Sequence, residues 1–138
     1  MNSRKHIEGL QLIGELSNCQ HDLLDDADQI KELVSNGISA CGFHQVSLDA
    51  QKFHPIGVTV IAIVSESHVA VHTYPEANHV SVDIFHCSTD TEQAFELMSF
   101  FEEGFKAGSL KYIEITRGIN LEVRRGDVVS PARSEGLT

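Results

Sequence analysis

The chain has 138 residues, enough for a single domain with one hydrophobic core. Its formal net charge of −10 argues against binding to nucleic acid or to an anionic membrane surface, because such surfaces recruit clustered Lys and Arg. No apolar run approaches the roughly 20 residues of a membrane span. The composition therefore predicts a soluble protein whose partner is small or cationic.

Three cysteines, Cys19, Cys41 and Cys87, are an odd number without paired spacing. The first residues, Met-Asn-Ser-Arg-Lys-His, lack the apolar stretch of a signal peptide. We therefore expect free thiols and a cytoplasmic location.

The first half of the chain predicts a strand, a helix and two more strands. Ile7 to Leu16 alternates as a strand does. From about Asp22 to Cys41 apolar residues recur every three or four positions, which indicates an amphipathic helix that Asn36-Gly37 could shorten. A strand from His44 to Phe53 ends at a Pro-Gly break, and Val58 to Val64 is a continuously apolar strand.

Residues 64–87 predict a β-hairpin, because two β-branched runs flank the turn sequence Tyr-Pro-Glu-Ala-Asn. If residues 75–78 form the loop, three pairs face each other across the hairpin: Tyr74 and His79, His72 and Ser81, and Glu66 and Cys87. The Glu66-Ser67 bond then lies beside the Cys87 thiol.

After the hairpin, Thr89-Asp-Thr-Glu92 matches a capping box for a helix that runs to about Ala107 and is closed by Gly108. Leu110 to Thr116 predicts a last strand, with Leu121 to Val123 as a short extension. We expect one domain over residues 1–123 and a flexible tail over 124–138. Because four consecutive strands with short links must be largely antiparallel, the predicted class is α+β, a largely antiparallel β-sheet with two main helices packed on one face.

Ser67, between Glu66 and His68, lies where the apolar strand meets the hairpin. A strand-end serine taken alone is usually just solvated, and the chain has no G-x-S-x-G elbow of a hydrolase. A metal site built from His68, His72 and Cys87 is another interpretation. We expect no metal, because residues i and i+4 of a strand lie ~13 Å apart.

Taken alone, His72 and Cys87 would be structural residues and Phe53 and Tyr74 core aromatics. Their co-occurrence is what stands out, and three strings carry it: Phe53-His-Pro-Ile-Gly-Val-Thr59, Ser65-Glu-Ser-His68 with His72-Thr-Tyr-Pro-Glu76, and Asp83-Ile-Phe-His-Cys87. Over roughly residues 9–117 the chain resembles the prokaryotic S-adenosylmethionine decarboxylases, pyruvoyl enzymes that cleave their own chain at a Glu-Ser bond.

This resemblance implies that Ser67 is the precursor of a covalent pyruvoyl cofactor. Its hydroxyl would attack the carbonyl of Glu66, and the resulting ester would β-eliminate to leave chains 1–66 and 67–138. His72 matches the family's base in processing. Thr59 stands where the family usually has a serine whose hydroxyl helps that step.

The resemblance also implies the catalytic roles. The pyruvoyl ketone would form a Schiff base with the substrate amine and accept electrons as CO₂ leaves, with Cys87 as the proton donor. Phe53 and Tyr74 match aromatic positions that sandwich the adenine, and Glu76 lies near the ribose. The product would donate aminopropyl groups for polyamine (spermidine) synthesis, and the working unit would be a dimer with sites near the subunit interface.

Several positions around the hairpin depart from the family pattern: Gln11, Glu15, Asn78-His79-Val80 and, in place of Thr-Cys-Gly, His86-Cys87-Ser88. Because relatives of this family decarboxylate arginine or ornithine, these amino acids are alternative substrates. An acidic chain would also suit such a cationic substrate. The aromatic pair favours adenosylmethionine, because stacking is wasted on an aliphatic substrate. A processing-dead regulatory homologue is a third hypothesis, and the intact Glu66, Ser67, His72 and Cys87 argue against it.

Overall fold

A computed structural model describes residues 8–87 and 90–129 of the chain. The strands are β1 Gly9–Ser17, β2 Gln45–Lys52, β3 Val58–Val64, β4 Ser67–Tyr74, β5 His79–His86, β6 Ser109–Arg117 and β7 Glu122–Val129. They form one sheet in the order β2-β3-β4-β5-β1-β6-β7, and the neighbouring strands are antiparallel. The helices are α1 Ala27–Ala40 and α2 Glu92–Gly104. The predicted α+β class is confirmed.

The core lies between the two helices and one face of the sheet, which we call the helix face. On β3 the residues Val58, Val60, Ala62 and Val64 are buried there, while Ile61 points the other way and is 48% exposed. The opposite face, which we call the open face, has no helix packed on it within the described ranges. None of the helices described in residues 8–87 and 90–129 is long and apolar enough to cross a membrane.

Helix α1 begins at Ala27, later than the periodicity predicts, and Asn36-Gly37 does not end it early. The Asp26 carboxylate caps it by accepting a hydrogen bond from the Gln29 N–H at 3.0 Å, and His21–Leu23 is a separate 3-10 turn. The helix continues through Gly37, where a Cβ would lie 2.7 Å from the Phe100 ring. This glycine is therefore a close contact between α1 and α2 rather than a helix end.

Helix α2 ends earlier than predicted, at Gly104 instead of Ala107, and Lys106 follows in the left-handed region with φ 51°. At its start the Asp90 carboxylate accepts a hydrogen bond from the Glu92 N–H at 3.2 Å. Thr89, the first residue of the predicted capping box, lies outside the described residues.

The prediction that a flexible tail begins at Arg124 is wrong for residues 124–129, which continue β7 alongside β6. Residues 122–125 are exposed, so backbone pairing rather than burial holds this edge strand. Hydrophobic periodicity does not mark such a strand, and the sequence indicated only its first residues. Ile7 and residues 130–138 lie outside the described ranges.

Candidate active site

The predicted hairpin register is confirmed where the two strands pair. His72 faces Ser81 and Tyr74 faces His79. The loop is a 3-10 turn at Pro75–Ala77 followed by Asn78, whose left-handed φ of 51° ends it. The candidate site residues of this hairpin lie at the two opposite ends of β4, with Ser67 at one end and His72 and Tyr74 at the other.

The first end carries the Glu66-Ser67 bond. Strands β3 and β4 are joined by the two-residue turn Ser65-Glu66, with Val64 paired to Ser67. Glu66 has φ 61°, in the left-handed region that L residues other than glycine occupy at a cost of roughly 1–3 kcal/mol where the surroundings enforce it. The peptide bond that the family pattern marks for cleavage therefore follows a strained residue.

Ser67 is buried at 7% exposure and accepts a hydrogen bond on its Oγ from the Cys87 backbone N–H at 3.1 Å. The structure thus brings Ser67 and Cys87 together. This bond uses a lone pair of the hydroxyl oxygen, so the hydroxyl proton is still available for transfer to a base.

The second end of β4 carries His72, which is half-buried on the open face. Its Nδ1 lies 2.9 Å from the Thr59 hydroxyl oxygen, and the two residues face each other across β3 and β4. A hydroxyl at this position therefore fixes the orientation of the His72 ring.

Phe53, Tyr74 and Glu76 lie at the same end as His72. Phe53 is 48% exposed and Tyr74 is 44% exposed, so neither is the core aromatic that its type alone would suggest. Glu76 is exposed in the hairpin loop. Two exposed rings and a carboxylate beside a histidine are suited to binding a flat, hydroxylated ligand.

The loop that carries Phe53 is closed by hydrogen bonds. The Phe53 N–H donates to the Gly57 carbonyl at 2.8 Å, and the Gly57 N–H donates to the Asp25 carboxylate at 2.7 Å. Lys52 Nζ lies 3.0 Å from the same carboxylate. The Gly57 hydrogen bond and then Lys52 hold the pKa of Asp25 below its ordinary value.

Ser67 and His72 do not meet within one chain. They are five positions apart on β4, roughly 16 Å at the usual rise of a strand. Ser67 belongs to the buried helix face together with Val69 and Val71, whereas His72 is on the open face. The predicted processing base therefore lies far from the predicted nucleophile in this copy.

Two of the positions that depart from the family pattern, Glu15 and His79, bond to each other, whereas a third, Gln11, bonds to Asp83 and Arg117. His79 Nε2 lies 2.6 Å from Glu15 Oε1, and the Ser81 hydroxyl donates to the same oxygen at 2.7 Å. The Gln11 amide donates to Asp83 and accepts from Arg117 at 2.8 Å. Sequence reasoning named Gln11, Glu15 and His79 one by one but missed that Glu15 and His79 form a pair.

Residues 8–87 and 90–129 contain no group of three or more His, Cys, Asp or Glu side chains arranged to hold a metal ion. His68 and His72 face Phe85 and Ser81, which are four positions apart on β5. The His68 ring instead contacts the Phe85 ring, with centroids 5.6 Å apart.

Comparison with known proteins gives the same family as the motifs. The family model described as S-adenosylmethionine decarboxylase matches residues 10–118. A protein of Methanococcus maripaludis strain S2 named S-adenosylmethionine decarboxylase proenzyme is 33% identical over 111 residues, covering 80% of this chain and 90% of the relative. A protein of the same name from Pelotomaculum thermopropionicum is 32% identical over 115 residues, covering 83% of this chain and 90% of the relative.

Solved structures share the fold. The adenosylmethionine decarboxylase of Aquifex aeolicus superposes with a TM-score of 0.77 at 24% identity, covering 83% of this chain and 93% of that one. A Trypanosoma brucei AdoMetDC monomer superposes with a TM-score of 0.55 at 14% identity, covering 79% of this chain and 46% of the longer one. Sequence and fold therefore agree that the chain belongs to the S-adenosylmethionine decarboxylase family.

Proposed function

We propose that this protein is a proenzyme that cleaves itself between Glu66 and Ser67 and then decarboxylates S-adenosylmethionine, yielding the aminopropyl donor for polyamine synthesis. The observation that carries the proposal is the contact of Ser67 Oγ with the Cys87 N–H beside the strained Glu66. Relatives that this chain covers almost fully are named proenzymes of this activity. Cytoplasmic location stays a prediction.

Ser67 suits the role of pyruvoyl precursor. Ser67 directly follows Glu66, so its hydroxyl is next to the carbonyl that it attacks. A side-chain hydroxyl can accept the acyl group of Glu66, and the resulting ester oxygen can later leave from Cβ. Once formed from Ser67, a pyruvoyl carbonyl would supply an electrophile for the substrate amine and an electron sink for the loss of CO₂. Cys87, next to Ser67 across the hairpin, is positioned to return a proton to the substrate carbon.

The working unit that we propose is a dimer in which the open faces of two copies meet. Within one copy the Thr59–His72 pair lies roughly 16 Å from Ser67 by strand spacing. The open face also exposes apolar side chains that a monomer gains nothing from exposing, among them Ile61 at 48% and Ile63 at 51%. A two-fold partner would complete the site by bringing its own His72, held by Thr59, to the backbone of Ser67, where His72 would take the α-proton; the Ser67 side chain itself stays on the helix face.

We assign substrate recognition to the end of β4 that carries His72 and Tyr74, contributed by the partner copy that supplies His72 to Ser67. Phe53 and Tyr74 are exposed at this end, where their rings would stack on an adenine, and the exposed Glu76 would offer a carboxylate to ribose hydroxyls. An aliphatic amino acid such as arginine or ornithine would leave these rings unused. The names of the relatives favour the same choice.

The test combines intact mass with activity. We expect the purified protein to consist of fragments 1–66 and 67–138, the second carrying a pyruvoyl end, and to release CO₂ from adenosylmethionine but not from arginine or ornithine. Ser67→Ala is the matched control and stays one inactive chain. Full activity in a chain that remains intact, or preference for arginine or ornithine, would contradict the proposal.

A further inference from the structure

A buried histidine that the mechanism above does not use lies across from the cleavage residue. His86 is the last residue of β5 and is only 5% exposed, on the helix face. The register of β4 and β5 pairs His68 with Phe85, and continuing it by one pair sets Ser67 opposite His86. Both side chains belong to the buried side of the sheet. Directly opposite residues of an antiparallel pair have Cβ atoms about 4.5–5.5 Å apart.

The hydrogen bonding of His86 fixes which ring nitrogen can act as a base. Nε2 lies 2.9 Å from the Asp90 carbonyl oxygen. Because a carbonyl only accepts, Nε2 carries the proton, and in the neutral ring the lone pair is on Nδ1. Nδ1 is buried and has no hydrogen-bond partner in residues 8–87 and 90–129. An unpaired buried nitrogen costs stability and calls for a reason to be kept.

Ser67 supplies that reason. Its Oγ accepts the Cys87 N–H at 3.1 Å, which leaves the hydroxyl proton free to point at a base. The cross-strand register makes Ser67 and His86 neighbours whose Oγ and Nδ1 atoms do not hydrogen-bond in this structure, and contacts of this kind commonly tighten only as the reaction proceeds.

Building on the proposed self-cleavage, we propose that His86 is the proton shuttle of its first step. Nδ1 takes the proton of the Ser67 hydroxyl as Oγ bonds to the Glu66 carbonyl carbon. The same proton then passes to the Ser67 nitrogen as the carbon–nitrogen bond breaks. An amide becomes an ester plus a free amine, with no other reactant consumed.

This role is separate from that of His72. The ester loses the α-proton of Ser67 in a later step, which is the step we assign to His72 of a second copy. His86 acts within its own chain and before the ester exists.

The test is a pulse-chase of freshly translated precursor, comparing wild type with His86→Gln. Glutamine retains an N–H that can donate to the Asp90 carbonyl but has no basic nitrogen. We expect cleavage at least ~100-fold slower, the scale of losing a general base. The uncleaved His86→Gln chain should resist hydroxylamine because it is stalled as an amide, whereas His72→Ala should be stalled as an ester that hydroxylamine cleaves.

Two controls keep the outcomes distinct. His44→Gln makes the same change at an exposed histidine whose carbonyl accepts from Ser65 beside the cleavage turn, and it should cleave at the wild-type rate. His86→Ala should regain cleavage when imidazole is added, which a purely structural histidine would not allow. A wild type that never cleaves would overturn the proposed function itself. A wild-type rate in His86→Gln, or no response of His86→Ala to imidazole, would overturn only the role of His86.

Discussion

The two ends of β4 differ in burial, in the face of the sheet that they use and in the chemistry they hold. At the Ser67 end, the serine is buried on the helix face, next to Cys87 and His86. The His72 end is on the open face, with Thr59 as its partner and exposed aromatic rings around it. One end can start bond breaking alone, whereas the other presents groups that need a second surface.

This contrast follows from strand geometry. Residues separated by an odd number of positions point to opposite faces, and five positions place the two ends far beyond contact. A core-facing Ser67 is shielded from water, so an ester formed there is protected from premature hydrolysis. An open-face His72 can be delivered to another copy. Because the two ends of β4 hold different parts of the site, we predict that each complete site combines residues from two subunits.

Complementation tests whether the two ends of β4 act in different subunits. Ser67→Ala and His72→Ala should each be inactive alone, because each lacks one half of every site. Co-expression should restore about a quarter of wild-type activity, since half of randomly paired dimers are mixed and each mixed dimer has one intact site. Cleavage and CO₂ release of the co-purified proteins measure this.

The control for complementation is a double variant. In this control, Ser67→Ala and His72→Ala are combined in one chain, which is co-expressed with wild type. A mixed dimer then has no intact shared site, so activity should come from wild-type dimers alone. If the mixture of single variants stays inactive although mixed dimers form, the two residues do not act across an interface.

The next prediction separates the two jobs of the Ser67 end. Cys87→Ala retains the backbone N–H that contacts Ser67, so the precursor should still cleave. Turnover should fall ~10²–10⁴-fold, the scale of removing a proton donor. The variant should also inactivate itself during turnover, because protonation on the wrong carbon leaves the amine on the cofactor. Full activity of Cys87→Ala would contradict this assignment.

A smaller effect is expected from the strain at the cleavage turn. Glu66→Gly retains the carbonyl that is attacked but removes the left-handed penalty, so cleavage should slow about 5-fold for ~1 kcal/mol of released strain. Asn18→Gly, at a left-handed residue beside the opposite end of the sheet, is the control and should leave the rate unchanged. An accelerated or unaltered Glu66→Gly would mean that the strain does not drive cleavage.

The sequence predicted the hairpin well because its turn residues and β-branched runs are local signals, and Tyr74 and His79 face each other as expected. It indicated only the first residues of β7, a strand whose residues 122–125 are exposed and which is held by backbone pairing. The separation of Ser67 and His72 was readable from their odd spacing, yet the resemblance drew them together as nucleophile and base. His86 was noted only as a departure, although the same register places it opposite Ser67.

The smallest expected effect concerns only the end of β4 that carries His72 and Tyr74. Asp25 holds the Phe53 loop through the Gly57 N–H and Lys52, and these lower its pKa. A carboxyl whose pKa is lower in the folded state stabilises above its ordinary pKa and loses that contribution as pH falls through the folded value. At neutral pH the contribution is therefore fully present.

Asp25→Asn should loosen the Phe53 loop and raise KM for adenosylmethionine ~2- to 5-fold, a modest loss as expected for an exposed interaction. Cleavage at Ser67 and kcat should be unchanged, because the loop is at the other end of β4. Asp26→Asn is the matched control: its neighbouring carboxylate also has a lowered pKa, but it caps α1, a role that asparagine fills equally well. Equal KM changes in both variants, or slowed cleavage in Asp25→Asn, would mean that the two ends are not independent.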